Sequence, residues 1–210
     1  MLSDEDRYIL AHSSPLEGGL EWIIRQTNIR THYQQMLAGP VQGRLLKMLS
    51  AATGARKALE IGTFTGYSAA CIALGMPDDG HIDSLEKNDE LEDLILEGWE
   101  RTGIAHKASL IIGDALQTLR ELEGPYDLVF IDGAKTEYCD YLALTVDKVR
   151  SGGIIIADDT MWAGRPWEDP MPQDPQTRGI AAFNDMAASD PRLECVMLPL
   201  RHGLTLLRKL

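Results

Sequence analysis

The sequence predicts an α/β fold: one seven-stranded, mostly parallel sheet that closes in a C-terminal antiparallel hairpin, with helices on both faces. Three observations carry this. Downstream of Gly54, short apolar runs alternate with mixed stretches of helical length, which is the pattern of βαβ units. The last two apolar runs, 193–198 and 203–207, are separated only by residues 199–202, and a parallel crossover needs roughly a dozen residues or more, so this pair is antiparallel. The length of 210 residues suits one domain at roughly 150 residues per domain, spanning 1–210, with a helical segment (1–55) ahead of an α/β core (56–210).

Taken in order, the N-terminal segment reads as helices. Leu16, Leu20, Ile23 and Ile24 recur at helical spacing, and Leu45, Leu46, Met48 and Leu49 form a second stripe. Pro40 suits the first turn of that second helix, where its missing N–H costs nothing. Strands follow at 58–61, 81–85, 109–112, 127–131 and 154–157, with helices at 88–101 and 137–149 among them, and the closing hairpin brings the strands to seven. Residues 160–178 break the pattern: four prolines, two tryptophans and no periodicity. A loop of that length in a compact domain is usually a functional lid or a mobile connection.

Composition removes several classes of function. With 20 basic and 32 acidic side chains the net charge is −12, so the chain lacks a general footprint for a phosphate backbone and nucleic acid is not an expected partner. Hydrophobic content of 44% and charged content of 25% are those of a globular domain. Cys71, Cys139 and Cys195 form no C-x-x-C pair; they encode neither a disulfide framework nor a zinc site and read as core thiols. The start is acidic at Asp4, Glu5 and Asp6, where a secretory signal is basic and then apolar. The longest uncharged stretch, 61–77, is broken by Gly62, Gly66 and Gly75 and is too short to span a bilayer. The expectation is a cytoplasmic protein without a membrane partner.

Chemistry is concentrated at the predicted strand ends. Glu60-Ile-Gly-Thr-Phe-Thr-Gly66-Tyr-Ser68 leaves the first strand and opens a helix, and Gly62 and Gly66 allow a tight turn with close backbone approach to a nucleotide-like ligand. The spacing is G-x-x-x-G, not the G-x-G-x-x-G of dinucleotide sites. Glu86 ends the second strand, where an acid can accept ribose hydroxyls, and Gly113-Asp114-Ala115 ends the third, beside an adenine pocket. Phe130-Ile131-Asp132 and Ile156-Ala157-Asp158-Asp159 end the fourth and fifth. If those strands are neighbours, three carboxylates converge, an arrangement that calls for protonation, pairing or a bound cation. An all-oxygen set suits a hard divalent ion, Mg²⁺ first, with Mn²⁺ or Ca²⁺ as alternatives. The competing reading is that these acids cap the helices that follow. Lys135, three residues past Asp132, is a candidate base, because a lysine desolvated or placed near a cation loses its proton readily.

These residues resemble a known family, the class I S-adenosylmethionine-dependent O-methyltransferases of the caffeoyl-CoA and catechol type. The resemblance runs from about residue 31 to 209 and is most specific at 59–68, 113–115, 126–132, Gly152-Gly153 and 199–204. It implies a Rossmann-like fold, and it implies roles residue by residue. Ala38 matches a position near the methionine end of the cofactor. Glu60, Gly62, Thr63 and Ser68, with Phe64 among them, match the methionine-binding turn. Glu86 matches the ribose acid, and Ala115, with Gly113 and Asp114, the adenine side. Asp132, Asp158 and Asp159 match the metal ligands, Asp132 also facing the cofactor and the chemistry; Lys135 matches the lysine proposed as general base, and Trp162 a wall of the acceptor site. Three positions depart from the family pattern: Asp159 stands where Asn is usual, Ala134 replaces an acid, and His202 stands where Asp is frequent.

The resemblance thus implies transfer of a methyl group from S-adenosylmethionine to one hydroxyl of a vicinal diol on a small aromatic, catechol-like acceptor, with a divalent cation as cofactor and a homodimer as the assembly. A phenol of pKa ~10 is only about one part in a thousand ionised at pH 7, and chelation by a cation removes that handicap. Trp162 and Trp167 are placed to close over a planar acceptor, or else to pack a lid or a dimer contact. Rival readings are an O-methyltransferase acting on a hydroxyuridine-type tRNA base, a non-catalytic nucleotide-binding module, and an NAD enzyme, which the G-x-x-x-G spacing disfavours.

Overall fold

A computed structural model describes residues 4–210; the first three residues of the predicted 1–210 span lie outside the described residues. Three helices come first: α1 (Asp4–Ala11), α2 (Gly18–Arg30) and α3 (Pro40–Ala52). Strands and helices then alternate as β1 (Lys57–Ile61), α4 (Tyr67–Gly75), β2 (His81–Glu86), α5 (Glu92–Thr102), β3 (Ala108–Ile112), α6 (Ala115–Glu121), β4 (Tyr126–Ile131), α7 (Tyr138–Thr145), β5 (Val149–Asp158), α8 (Pro175–Ser189), β6 (Leu193–Leu198) and β7 (Leu204–Lys209). The sheet order is β3-β2-β1-β4-β5-β7-β6, and β7 runs antiparallel to both its neighbours while the other six strands are parallel. This is the doubly wound, Rossmann-like architecture expected from the sequence.

Alternation along the strands splits the core into two layers, because successive side chains face opposite sides of a sheet. Ala58, Ile82, Leu128, Phe130 and Ile156 pack with α2, α3, α4 and α5 through Leu20, Ile23, Leu46, Ile72 and Trp99. Leu59, Ile61, Val129, Ile131 and Ile155 pack on the other face with α6, α7 and α8 through Leu119, Tyr138, Leu142, Ile180 and Phe183. Among the described residues, no helix is long and apolar enough to cross a membrane.

Several expectations are corrected. β5 starts at Val149, five positions before the apolar run, because Arg150, Ser151, Gly152 and Gly153 mask a strand whose pairing with β4 shifts register between Tyr126 and Leu128. The aperiodic stretch 160–178 is not all loop: a 3-10 segment covers Trp162–Trp167, and α8 begins at Pro175, capped by the Asp174 side chain on the Thr177 N–H. Met48 is exposed; the buried stripe of α3 is Gln42, Gly43, Leu46 and Ser50, two of them polar and so invisible to apolar spacing. Only Cys71 is a core thiol: Cys139 is half-buried, and Cys195 is exposed on the edge strand β6.

Candidate active site

The order of the strands reverses between β1 and β4, and ligands of open α/β sheets bind at the carboxyl ends of strands beside such a point. A cavity of about 870 Å³ opens there. The turn after β1 is shaped by close approach. Gly62 has φ 95°, and a Cβ on it would lie 2.4 Å from the Asp132 carbonyl oxygen, so the turn after β1 and the end of β4 fit only through glycine. Gly66, with φ 81°, precedes α4, and its carbonyl accepts from the Trp99 indole N–H at 3.1 Å. Strain gathers at the same place. Among the described residues five non-glycine positions have positive φ, and four of them, Phe64, Asp159, Trp162 and Arg201, line the cavity.

The predicted cofactor residues fall into three settings. Gly62, Phe64, Glu86, Gly113, Asp114, Ala115 and Asp132 line the cavity. Ala38, Thr63 and Ser68 line an adjoining recess with Gly62, Phe64 and Asp132. Glu60 reaches neither wall; it is fully buried under the turn, bonded to the Ser84 hydroxyl, which in turn meets the Thr63 hydroxyl at 2.6 Å. Burial pushes the Glu60 carboxyl up to about 8, and its Oε1 has no hydrogen-bond partner. Glu86 holds the turn in place: its Oε2 accepts the Phe64 N–H at 2.6 Å and its Oε1 those of Lys87 and Asn88 at 2.9 and 2.8 Å. A carboxylate has about four acceptor sites, so one stays open to a ligand. Asp114 caps α6 through the Gln117 N–H, a role the sequence reading did not assign to it.

At β4 and β5, Asp132, Asp158, Asp159, Lys135 and Trp162 all line the same cavity. The Lys135 ammonium stands between two of the acids, 2.7 Å from Asp132 Oδ1 and 2.9 Å from Asp159 Oδ2, and also donates to the Tyr138 hydroxyl at 2.8 Å. Tyr138 donates to the Asp158 carbonyl at 3.0 Å, tying α7 to the end of β5. Asp158 Oδ1 accepts the Asp159 N–H at 2.8 Å, and Asp158 Oδ2 accepts the Gln42 amide at 2.5 Å. Burial pushes Asp132 up to about 7, with the Asp158 and Asp159 charges adding and Lys135 opposing; burial and Asp159 likewise raise Asp158. Lys135 is held well above the ordinary lysine range: burial works against its charge, but Tyr138, Asp132 and Asp159 outweigh it. The ammonium is therefore protonated as it stands. Among the described residues, no three carboxylate, imidazole or thiol groups are gathered closely enough as they stand to hold a metal ion.

The acceptor side departs from the sequence reading in two respects. Trp162 lines the cavity, but Trp167 is 62% exposed and is not among its walls. The turn 199–203 is a structural hub. The His202 carbonyl accepts the Met161 and Trp162 N–H groups at 2.7 and 3.1 Å, and the Arg201 guanidinium donates to the Leu37 carbonyl at 2.9 Å. It thereby joins the acceptor wall to the segment that ends in Ala38. Arg201 lies within the 199–204 motif, but its reach to Leu37 is a long-range contact that sequence does not show, and Gln42 is a polar residue on a helix face that carries no mark in sequence.

A β3-β2-β1-β4-β5-β7-β6 sheet, a glycine turn after β1 and an acid at the end of β2, all opening on one cavity, define the Rossmann-like class of methyl-transferring enzymes. Comparison with known proteins agrees. The model of the O-methyltransferase family matches residues 11–210, and the chain belongs to that family. Tricin synthase 2 of Oryza sativa subsp. japonica is 38% identical over 190 residues, 85% of this chain and 65% of its own, so this chain spans just under two thirds of that relative. Caffeoyl-CoA O-methyltransferase 5 of Nicotiana tabacum is 34% identical over 200 residues, covering 89% of this chain and 82% of its own. Among solved structures, TomG of Streptomyces achromogenes, a complex with SAM, superposes with TM-score 0.91 at 25% identity over 100% of this chain and 99% of its own. The O-methyltransferase of Bacillus cereus in complex with SAH superposes with TM-score 0.87 at 27% identity, over 98% of this chain and 97% of its own. The chain is an O-methyltransferase, and the reading as a non-catalytic nucleotide-binding module is set aside.

Proposed function

We propose that this enzyme moves the methyl group of S-adenosylmethionine to one hydroxyl of a vicinal diol on a small aromatic acceptor, with a divalent cation that Asp132, Asp158 and Asp159 would hold. One observation carries the reading: the glycine turn and the Asp132–Asp158–Asp159–Lys135 cluster open on one cavity, and Asp132 belongs to both. Relatives named for caffeoyl-CoA support it, since the caffeoyl group is an aromatic vicinal diol.

The donor chemistry of the cavity suits both groups, with the carboxylates having to leave Lys135 to gather round an ion. For the methyl donor, the recess lined by Thr63 and Ser68 in front of the buried Glu60 carboxyl suits its cationic amino group, with the open acceptor position on Glu86 for a ribose hydroxyl. For the cation, the donors are hard oxygens, and the Lys135 ammonium already stands as a positive charge between Asp132 and Asp159. When bound, the donor supplies a methyl carbon on a sulfonium, and the cation lowers the pKa of the chelated hydroxyl.

The chain supplies alignment and a proton path. Asp132, Asp158 and Asp159 fix where the diol oxygens lie, Trp162 walls the ring, and the Gly62–Ser68 turn fixes the donor, so the oxygen and the methyl carbon meet in line. Lys135 would receive the hydroxyl proton at Nζ after its present ammonium proton has passed to solvent through the cavity it lines. It does so once Asp132 and Asp159 turn from it, because burial alone drives a lysine toward its neutral form.

A panel of labelled-cofactor assays tests the acceptor class. Catechol is expected to be methylated while its meta and para isomers, which cannot chelate, are not. Equal turnover of resorcinol would contradict the proposal.

A further inference from the structure

We infer that Gln42 is a positioning residue for Asp158: from the first turn of α3 it holds the carboxylate at the wall of the cavity, available as one of the donors to a divalent cation. The inference rests on the cation reading above. Gln42 is completely buried and lies on the inner stripe of α3 with Gly43, Leu46 and Ser50, a place where an apolar side chain is the ordinary occupant. Its Nε2 donates to Asp158 Oδ2 at 2.5 Å across 116 positions of sequence. The other Asp158 oxygen, Oδ1, is fixed by the Asp159 N–H at 2.8 Å, so the carboxylate is held at both ends.

The amide makes that bond at a cost to itself. Its Oε1 is buried and has no hydrogen-bond partner among the described residues. Buried polar atoms are nearly always satisfied, and one that is not calls for an explanation beyond stability. Turning the amide over would set Oε1 against the carboxylate oxygen, so the contact with Asp158 dictates the orientation seen. Leucine or methionine would fill the space without an orphaned acceptor but would leave the buried Asp158 Oδ2 without its donor, so the amide serves the carboxylate rather than the packing of α3. What those residues cannot do is aim Asp158. Groups that orient ligating side chains from behind typically set metal affinity by about 10- to 100-fold. Gln42 also lies four residues after Ala38, which lines the cofactor recess, so one short stretch of chain serves both halves of the site.

The test compares wild type with Gln42→Leu and Gln42→Met, each saturated with S-adenosylhomocysteine and titrated with Mn²⁺ by calorimetry. The expected result is a Mn²⁺ Kd weakened about 10- to 100-fold in both variants, with S-adenosylhomocysteine affinity unchanged and a cooperative thermal transition whose midpoint is lowered only by the loss of the Asp158 donor. Unchanged Mn²⁺ affinity would overturn the inference and leave the cation reading standing. Failure of both variants to fold would also overturn it, since Gln42 would then be a structural residue. A wild-type protein that binds no Mn²⁺ would overturn the cation reading itself, and this inference with it.

Discussion

At the scale of single residues, the chemistry turns on the charge state of Lys135. Its ammonium is tied to two carboxylates and a phenol, and it is a base only when those ties loosen. Lys135→Ala is expected to lower kcat by about 10²- to 10⁴-fold, the usual worth of a general base, while the S-adenosylhomocysteine Kd measured by calorimetry stays unchanged. A near-normal kcat would remove the lysine from the reaction. The acids at the ends of β2, β4 and β5 were legible because each ends an apolar run, and a charge at a strand end is easy to read. Gln42 was not, since a buried amide inside a helix carries no mark in sequence. Nor does sequence tell that Glu86 and Asp114 already spend hydrogen bonds on their own backbone; that depends on where the turns bring neighbouring N–H groups.

At the scale of elements, the site is a meeting of three pieces: the strand ends, the segment between α2 and α3, and the turn between β6 and β7. Alternation marks the strand ends, and the resemblance marks Ala38 and the 199–204 turn; what sequence does not show is the contact between these last two, made by the Arg201 side chain and the Leu37 and Gln35 carbonyls about 160 residues away. That contact has a measurable weight. A hydrogen bond from a charged donor is worth about 1.5–3 kcal/mol, and exposure reduces it, so Arg201→Ala is expected to weaken S-adenosylhomocysteine binding by about fivefold to tenfold. Limited proteolysis is expected to cut the variant faster within residues 31–39. Wild-type affinity and wild-type cleavage would show that the turn does not hold the segment. Within 160–178 the run of prolines hides the one that starts α8; proline at the first helical position is compatible with a helix, and Asp174 supplies the cap.

At the scale of the whole molecule, the buried acids tie stability to pH. Glu60 sits at about 8 and Asp132 at about 7 in the folded chain, against ~4 for carboxyls in an unfolded one. Between those limits the folded state binds more protons than the unfolded state, so stability falls as pH rises through that window and is restored on acidification. Thermal melts of the ligand-free protein are expected to show a midpoint that drops from about pH 5.5 to about pH 8. A midpoint that rises over the same range would mean that these carboxyls ionise freely in the fold. The fold accepts this cost because the acids that lower stability are the ones proposed to hold the donor and the cation. The net charge of −12 adds to the same balance, since a further cation near the cluster offsets it.

The carboxylates at the ends of β4 and β5 are proposed to act through a bound cation. The most direct measurement is the initial rate of catechol methylation by the full chain after exhaustive treatment with EDTA, followed by stepwise return of Mg²⁺ or Mn²⁺. The account predicts a rate near background under chelation and saturable recovery as the ion is restored. An undiminished rate in EDTA, with no response to added ion, would contradict it.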